Sequence, residues 1–434
     1  MSACGCGTQT KLPVAVIGTG PVGLAAASHL LIRGESVLVF EAGESIGANI
    51  RRWQHVRMFS PWQYNVDKAA KQLLEQHHWV APPNEELPTG RDLLEKYLLP
   101  LSELPEIQST IHVSAKVIGV ARNNLDKLKT AGRDRQPFTL FVEEQGGVNT
   151  YQVRAVIDAS GNWTNPNPVL SMGVWTPMER ALSEQIFYGI PNVLGEYRER
   201  YAGKSVLVVG SGHSAINALL DLAKLKEEFP ETEIVWAVRK SYIAEAYGGE
   251  DRDGLPARGE LGIRIRKLIE SEQITALTPF HIHQVAQNNA TITVRGTMNG
   301  QAVEVSGIDE VITATGARPD LSFLSEVRLS LDPALESATE LAPLIDPNEH
   351  SCGTVRPNGE KELRQPEKDF YIVGVKSYGR APTFLLATGY EQVRSVVAGL
   401  VGDFKAAEEV HLELPETGIC KVGGPSAQSC CGCR

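Results

Sequence analysis

The stretch LPVAVIGTGPVGLAAASHLLIRGESVLVFEAGESIG, residues 12–47, decides the fold class of this 434-residue chain. Its first part, VAVIG, has the unbroken apolar character of a buried parallel strand, and GPVGLAAASHLLIRG has the character of the helix that follows. Between them Gly18, Gly20 and Gly23 form GxGxxG, the glycine spacing of a dinucleotide-binding turn. The stretch therefore predicts a strand, a phosphate-binding turn and a helix.

Each part of this turn has a separate physical role. The first glycine permits the tight turn, the second lets the backbone approach a pyrophosphate, and the third lets the helix lie close to the strand. The helix N-terminus adds N–H groups and a positive dipole end, so Pro21 and Val22 join the glycines as predicted contacts. A second strand, SVLVF, ends at Glu41, whose carboxylate can accept hydrogen bonds from a ribose diol. This first fold is predicted to bind FAD or NAD.

The pattern recurs in KSVLVVGSGHSAINALLDLAKL, residues 204–225. Here the next strand, EIVWAV, ends in Arg239 and Lys240, and two cations can pair with a 2′-phosphate that an acid would repel. A solvated basic pair at a strand end is the alternative. The second fold is therefore predicted to bind NADPH through Gly210, Ser211, Gly212, His213, Ser214, Ala215, Arg239 and Lys240.

Three later stretches complete the predicted architecture. AVIDASGNW (155–163) and VITATGARPD (311–320) each suggest a buried strand that runs into a turn of small residues. FYIVGVKSYGRAPTFLLATGYEQVRSVVAGL (370–400) suggests a strand, a loop and a helix starting around Thr388 and Gly389, whose N–H groups can face an electron-rich flavin edge. The sequence predicts an α/β protein with two Rossmann-like domains, the NADPH domain being inserted into a discontinuous FAD domain. The predicted domains are a Cys-bearing tail at 1–10, the FAD domain at 11–200 and 310–402, the NADPH domain at 201–309 and a Cys-rich tail at 403–434.

Composition excludes several classes of partner. The formal net charge of −10 argues against nucleic acid, because phosphate binding needs a concentrated positive surface. There is neither an apolar run of about 18 residues nor a basic start followed by a hydrophobic core, so neither a membrane span nor a secretory signal is predicted. No cysteine lies between Cys6 and Cys352, which does not suit a secreted disulfide framework. We therefore expect a cytoplasmic protein.

This arrangement resembles the two-dinucleotide-binding-domain flavoproteins, and within them the class B flavin monooxygenases, over about residues 12–400. That family carries the fingerprint FxGxxxHxxx(F/Y) before its NADPH fold. FYGIPNVLGEY supplies Phe187, Gly189 and Tyr197 at this spacing, whereas Val193 stands where the family has histidine. The resemblance implies FAD in the first fold and a reaction of O₂ at the flavin.

GANIRRWQHVRMFSPWQYN, residues 47–65, resembles the family segment that follows the acidic ribose residue and lines the flavin. Core packing is the alternative for the tryptophans Trp53 and Trp62. The resemblance implies that Ser60 and Asn65 are candidates for the reaction site, and that the flavin contacts include Arg52, Trp53 and Ser60.

VKSYGRAPTFLLATGYEQVRSV, residues 375–396, together with cysteine-bearing tails, resembles the flavin-dependent monooxygenases of bacterial arsenic-resistance operons. In class B enzymes NADPH reduces FAD, and the reduced flavin captures O₂ as a C4a-hydroperoxide that a soft atom with a lone pair attacks. The resemblance thus implies oxidation of a trivalent arsenical, methylarsenite or arsenite, to a pentavalent form that confers arsenic resistance.

The cysteine clusters suit such a substrate. CxC and CCxC are tighter than zinc-finger spacing, but they can offer two or three thiolates to a soft, thiophilic ion. Exposed thiols without a specific role are the alternative. The predicted metalloid-capturing residues are Cys4, Cys6, Cys352, Cys420, Cys430, Cys431 and Cys433.

Two other functions stay open. An NADPH-dependent thiol or disulfide reductase of the same fold needs a cysteine pair beside the flavin, but Cys352 stands alone in its loop, and Val375 follows Gly374 where such reductases tend to carry aspartate. A non-catalytic metalloid-binding flavoprotein sensor is the other. No resident metal is predicted, because the His77–His78 and His281–His283 pairs lack a third ligand at sensible spacing.

Overall fold

The computed structural model describes residues 11–349 and 357–412. The strands are β1 (Val14–Ile17), β2 (Val37–Phe40), β3 (Ile111–His112), β4 (Lys116–Arg122), β5 (Phe138–Glu144), β6 (Gly147–Val153), β7 (Ala155–Asp158), β8 (Ile186–Tyr188), β9 (Ser205–Val209), β10 (Glu233–Ala237), β11 (Thr275–Leu277), β12 (Phe280–Asn288), β13 (Thr291–Met298), β14 (Gln301–Ile308), β15 (Glu310–Thr313) and β16 (Phe370–Ile372).

The helices vary from one turn to four. They are α1 (Pro21–Ile32), α2 (Ala48–Arg51), α3 (Lys68–Gln76), α4 (Gly90–Leu93), α5 (Leu99–Ser102), α6 (Pro105–Gln108), α7 (Pro177–Ala181), α8 (Arg198–Tyr201), α9 (His213–Glu228), α10 (Pro256–Glu270), α11 (Ala342–Ile345), α12 (Glu360–Leu363), α13 (Leu386–Leu400) and α14 (Phe404–Glu408). Short 3-10 or π turns span Trp62–Tyr64, Leu94–Leu98, Arg133–Arg135, Ile243–Ala246, Glu250–Arg252, Ser322–Leu324 and Gly374–Tyr378.

The first compact unit is built on a parallel sheet with the strand order β16-β7-β1-β2-β3. A three-stranded antiparallel sheet, β4-β5-β6, accompanies it. Apolar side chains of both sheets form one core, in which Ile17 and Val156 meet Leu140 and Val142. The helices α1 and α13 pack on each other, and the small buried residues of α1 permit this close approach. Both faces of the parallel sheet are thus covered, as parallel sheets require.

The second unit repeats this plan. Its parallel sheet has the order β11-β10-β9-β15-β8, and its antiparallel sheet has the order β12-β13-β14. One core lies against α9 and α10, and another includes side chains of both sheets. The prediction of an α/β protein with two Rossmann-like folds is confirmed.

The main divisions between the two units lie at 165/166 and 317/318, with residues 347–349 also assigned to the second unit, whereas the sequence placed the divisions at 200/201 and 309/310. The reason lies in short strands: β15 pairs with both β9 and β8, so the segment before residue 200 and the segment after 310 each contribute to the second sheet. The first unit remains discontinuous around the second. Among the helices of residues 11–349 and 357–412, none has the length and hydropathy that crossing a bilayer requires.

Candidate functional site

The first glycine turn joins β1 to α1 at the carboxyl edge of the first parallel sheet. Gly18 has φ = +102°, and a Cβ on it would lie 2.8 Å from the carbonyl oxygen of Ala159. A Cβ on Gly23 would lie 2.0 Å from the carbonyl oxygen of Gly18, whereas nothing lies within 4 Å of one on Gly20. The turn is therefore closed by its first and third glycines and open at the second, the geometry that a pyrophosphate requires.

The start of α1 faces this opening with backbone groups. Gly20 is the N-cap, no side chain caps it, and Pro21 is the first helical residue. The N-terminal N–H groups and the helix dipole therefore suit a phosphate. Val22 packs its side chain towards Gly374 and Gly389, so only the backbone of this predicted contact suits a phosphate.

Glu41 lies at the end of β2 and holds the glycine turn. Its Oε2 accepts hydrogen bonds from the backbone N–H (2.9 Å) and the hydroxyl (2.6 Å) of Thr19, and its Oε1 accepts one from the N–H of Gly43 (2.8 Å). The predicted ribose acceptor thus also ties the second strand to the turn. Thr19, between the first two glycines, was missed by sequence reasoning, although its hydroxyl opposite a strand-end acid was a usable signal.

Ser60 and Asn65 are brought together, as expected for one site. The Ser60 hydroxyl donates to Asn65 Oδ1 (3.0 Å), and the Asn65 amide donates to the Ser60 carbonyl (2.7 Å) and the Pro61 carbonyl (3.0 Å). The hydroxyl of Tyr390, on α13, donates to the Asn65 carbonyl (2.9 Å). Both side chains are buried, so this cluster fixes the segment before α3 against α13.

The other predicted flavin contacts differ in burial. Arg52 is exposed and Trp53 is half-buried. The Trp53 ring lies 6.4 Å from that of Trp163, and a Cβ on Gly90 would lie 2.7 Å from it. Trp62 is buried in the core.

The helix α13 begins at Leu386 without a side-chain cap, so Thr388 and Gly389 lie in its first turn. Both are buried, and a Cβ on Gly389 would lie 2.6 Å from Val22. This close contact places the start of α13 against the start of α1. The two helix N-termini that the sequence assigned to FAD therefore lie side by side in the first unit.

A buried polar network holds the turn after β16 to α13. Gln392 accepts from the N–H of Gly374 (2.8 Å) and donates to Asn358 (2.7 Å) and Ser377 (2.9 Å). Asn358 in turn donates to the Tyr378 hydroxyl (3.0 Å), and burial raises the pKa of that phenol to about 12. The network is therefore uncharged at neutral pH.

Sequence reasoning missed a buried ion pair beside the first glycine turn. Lys376 Nζ lies 2.7 Å from Asp158 Oδ2 and 3.0 Å from the Ser160 hydroxyl, and both charged side chains are 0% exposed. The same hydroxyl donates to Asp158 Oδ1 at 2.6 Å. The only sequence signal was an aspartate that ends one short apolar strand and a lysine that comes shortly after another.

The second glycine turn joins β9 to α9. Gly210 has φ = +128°, and a Cβ on it would lie 2.3 Å from the carbonyl oxygen of Ala314. Nothing lies within 4 Å of a Cβ on Gly212, which is the N-cap of α9. Ala215 fills the third position and is buried. This turn also fits a pyrophosphate, with the half-buried Ser211 and Ser214 in the same loop.

Arg239 and Lys240 follow β10 at the carboxyl edge of the second sheet. Arg239 donates to the Ser171 carbonyl (3.0 Å), and Lys240 donates to the Glu245 carbonyl (2.5 Å). Within the described ranges neither cation forms an ion pair with a carboxylate. Their positive charge therefore remains available to an anion such as a 2′-phosphate.

His213 is the first residue of α9, within the turn. Burial, together with the charge of Arg258, lowers its pKa to about 4. At neutral pH it is therefore uncharged, and it can meet a phosphate only as a neutral hydrogen-bonding group.

The fingerprint residues extend from β8, which contains Phe187, to Tyr197 at the start of α8. The rings of Phe187 and Tyr197 meet edge to face with centroids 5.1 Å apart, and Gly189 has φ = +113°. Val193 is 0% exposed and belongs to the core against α9 and α10. The position at which the family has histidine is therefore an apolar packing position here.

All seven cysteines lie outside the described residues, so the predicted capture sites carry no structural account. His77 lies 3.1 Å from a carboxylate oxygen of Glu106, and His283 lies 3.2 Å from the hydroxyl of Thr297. In the part of the chain that the structure describes, no three His, Cys, Asp or Glu residues form a metal-binding group.

Comparison with known proteins agrees with two nucleotide folds. Indole-3-pyruvate monooxygenase YUCCA1 of Oryza sativa subsp. japonica is 29% identical over 227 residues, which cover 50% of this chain and 46% of that protein. Ferredoxin–NADP reductase of Streptococcus agalactiae is 23% identical over 217 residues, 50% of this chain and 52% of the reductase. The chain therefore spans about half the length of these curated relatives.

Solved structures match over nearly the whole chain. Bacillithiol disulfide reductase from Bacillus cereus has a TM-score of 0.65 at 19% identity and covers 92% of this chain and 100% of its own. The ornithine N-hydroxylase of Kutzneria sp. 744, solved with reduced FAD, NADP⁺ and L-ornithine, has a TM-score of 0.58 at 14% identity, with 92% and 100% covered. At these identities the likeness shows the fold alone.

A sequence model of the family described as pyridine nucleotide-disulphide oxidoreductase matches residues 15–352. This match spans both glycine turns, and it confirms the prediction of an oxidoreductase that uses a pyridine nucleotide. Because it covers well over half of the sequence, the chain belongs to the pyridine nucleotide-disulphide oxidoreductase family.

Proposed function

We propose that this chain is an FAD- and NADPH-dependent monooxygenase that oxidises a soft nucleophile, a trivalent arsenical such as methylarsenite or arsenite, to its pentavalent form. The observation that carries the reaction class is the combination of two phosphate-binding turns with a first unit whose described residues contain no cysteine. Electrons that reach a flavin there find no disulfide among those residues. This favours dioxygen as the electron acceptor.

We assign one cofactor to each unit. In the first unit, the open backbone at Gly20, the start of α1 and the Glu41 carboxylate would hold the FAD adenosine diphosphate, and the start of α13 would meet the flavin. In the second unit, Gly212 and the start of α9 would hold the NADPH pyrophosphate, while Arg239 and Lys240 would pair with its 2′-phosphate.

Bound FAD would supply the redox chemistry, taking two electrons from NADPH and passing them to O₂. Overall, one oxygen atom forms a bond to the lone pair of the trivalent arsenic, and the other leaves as water with two protons. The chain's own residues then need only to bind, orient and exclude water. This fits a buried network around Gln392 that carries no charge at neutral pH.

The arsenical as substrate rests on the cysteine-rich ends of the sequence and on the resemblance of residues 375–396. Thiolates bind trivalent arsenic because both are soft. Replacing Cys430, Cys431 and Cys433 together by serine should raise the apparent KM for the arsenical while NADPH still reduces the flavin at the same rate. An unchanged KM would remove the capture role and leave the reaction class intact.

A disulfide reductase is the second candidate. The fold is compatible with it, since bacillithiol disulfide reductase shares this fold over the whole of its own chain. Cys430 and Cys433 also have CxxC spacing, which a redox pair can use. In this alternative a thiol pair from outside the described residues would pass the electrons to a disulfide.

The deciding experiment measures NADPH consumption by the FAD-loaded full chain in air and without O₂, with methylarsenite, arsenite, thioethers or disulfides added. We expect one arsenical to accelerate consumption only in air, with O₂ uptake and a pentavalent product. Equal consumption without O₂, or acceleration by a disulfide alone, would establish the reductase. Binding of arsenical to the tails without any acceleration would indicate a sensor.

A further inference from the structure

The ion pair between Lys376 and Asp158 occupies a distinctive place in the first unit. Asp158 is the last residue of β7 and is in register with Ile17, the last residue of β1. The next peptide carries the Ala159 carbonyl that packs against Gly18. Asp158 therefore lies directly below the first glycine turn.

Lys376 approaches Asp158 from the β16 side of β7, whereas the glycine turn lies on the β1 side. It belongs to the turn Gly374–Tyr378 after β16, and β16 pairs with β7. In the same turn Gly374 approaches Val22 of α1, with a distance of 3.4 Å from a Cβ placed on it. The pair thus joins the two loops that flank the glycine turn. Asn162 makes a second link, because its amide donates to the Gly379 carbonyl at 3.1 Å.

The ammonium group is fully occupied. It contacts Asp158 and Ser160, and it lies 4.6 Å from the centre of the Phe323 ring. Removing two charges from water opposes folding, and a well-packed apolar pair is often as stable as a buried ion pair. Stability alone therefore does not account for a charged pair at this point, whereas a requirement for one fixed loop geometry does.

We propose that Lys376 and Asp158 are positioning residues for FAD: they hold the loop 158–162 and the turn 374–378 in the arrangement that leaves the phosphate-binding backbone open. This rests on the proposed binding of FAD in the first unit and adds the residues that set its geometry. The pair does not touch the cofactor, because both side chains are fully buried.

A second buried ion-pair cluster, at the other end of β16, offers a matched control. Glu367 precedes β16, at the amino edge of the sheet, and forms buried ion pairs with Arg122 (2.7 Å) and Arg133 (2.8 Å). This cluster is as buried as the first, but it lies at the end of β16 away from the glycine turn. Neutralising it should lower stability without changing the cofactor site.

The test compares two double variants of the full chain, Asp158→Asn/Lys376→Met and Glu367→Gln/Arg122→Met. Each is stripped of FAD, shown to be folded by circular dichroism, and titrated with FAD by flavin fluorescence, and the visible absorption and circular dichroism of the bound flavin are recorded. We expect the first variant to weaken the FAD Kd at least tenfold and to change the flavin spectrum. We expect the second to lower Tm with less than a twofold change in Kd.

Equal FAD affinity in wild type and Asp158→Asn/Lys376→Met, or equal weakening in both variants, would overturn the positioning role. Failure of the wild-type chain to bind FAD at all would instead overturn the proposed function, and the positioning role with it. If the first variant does not fold, Lys376→Arg keeps the charge and changes the geometry. Unchanged FAD affinity in that folded variant would also contradict the proposal.

Discussion

The two glycine turns share a plan but differ at their third position and at the strand end that faces them. In the first turn Gly23 leaves no space for a methyl group, and the Glu41 carboxylate is hydrogen-bonded to Thr19 within the turn. In the second turn Ala215 carries that methyl group, and the strand end presents Arg239 and Lys240 instead. The first turn is therefore braced by its own acid, while the second leaves its charges for the ligand.

The difference in the third position should give the largest effect. Gly23→Ala would place a methyl group 2.0 Å from the Gly18 carbonyl, so the turn must open. We expect the free energy of unfolding to fall by about 3 kcal/mol and FAD to be lost during gel filtration. The reverse change in the other turn, Ala215→Gly, should lower stability by only about 1 kcal/mol. Equal losses would show that the two turns are packed alike.

The cations of the second turn give the next largest effect. Arg239→Ala/Lys240→Ala removes two charge-assisted contacts, so the Kd for NADPH should rise about tenfold to hundredfold. Because NADH lacks the 2′-phosphate, its Kd should stay within about twofold. Both values can be measured by titration of the FAD-loaded protein. A matching loss for NADH would mean that these residues shape the turn and do not recognise the phosphate.

Glu41→Gln tests the brace of the first turn. The glutamine side chain has one oxygen and one NH₂ group. In either orientation, its NH₂ group replaces an oxygen that accepts from the backbone N–H of Thr19 or of Gly43, so two donors face each other. We expect FAD to bind about tenfold more weakly, since an unsatisfied buried donor costs about 1–3 kcal/mol. Glu35→Gln, at the opposite end of β2 and partnered by Lys11 and Arg154, is the control and should leave the FAD Kd unchanged. Similar effects from both variants would refute a local brace.

The helices after the two turns also differ: α9 carries a half-buried acid, Asp221, whereas α1 carries no acid. The effect of this difference on stability should be the smallest. Burial raises the pKa of Asp221 from 3.8 to about 6. The native state then holds this proton more tightly than the unfolded state, so stability falls as pH rises from about 3.8 to 6 and stays lower above it. Asp221→Asn should remove this fall and add about 1–2 kcal/mol at pH 7, allowing for partial exposure. Urea unfolding at pH 4, 5, 6 and 7 measures it, and an unchanged slope in the variant would contradict it.

The sequence predicted what depends on neighbours along the chain. Strand, glycine turn and helix follow one another within about thirty residues, so both turns and their open second glycines were accessible from pattern alone. The strand-end positions of Glu41, Arg239 and Lys240 were predictable for the same reason. The fold class followed from these local units.

Contacts between distant segments were not accessible in this way. The Lys376–Asp158 pair joins residues 218 positions apart, and Gln392 reaches Asn358 across 34 positions. The boundary between the two units near residue 165 depends on β8, a strand of only three residues. Its pairing with β15 shows that it belongs to the second sheet. Apolar periodicity contains neither signal.

The discontinuous first unit has a consequence for how the protein matures on the ribosome. Nearly all of the described second unit is one continuous stretch, 166–317, whereas the first sheet needs β16 and its ion pair needs Lys376. Translation at about 5–20 residues per second separates these points by roughly 3–12 s, and domains fold as units when their segments have emerged. We therefore expect the inserted unit to fold first, and the flavin to load only when the last strand has closed the first.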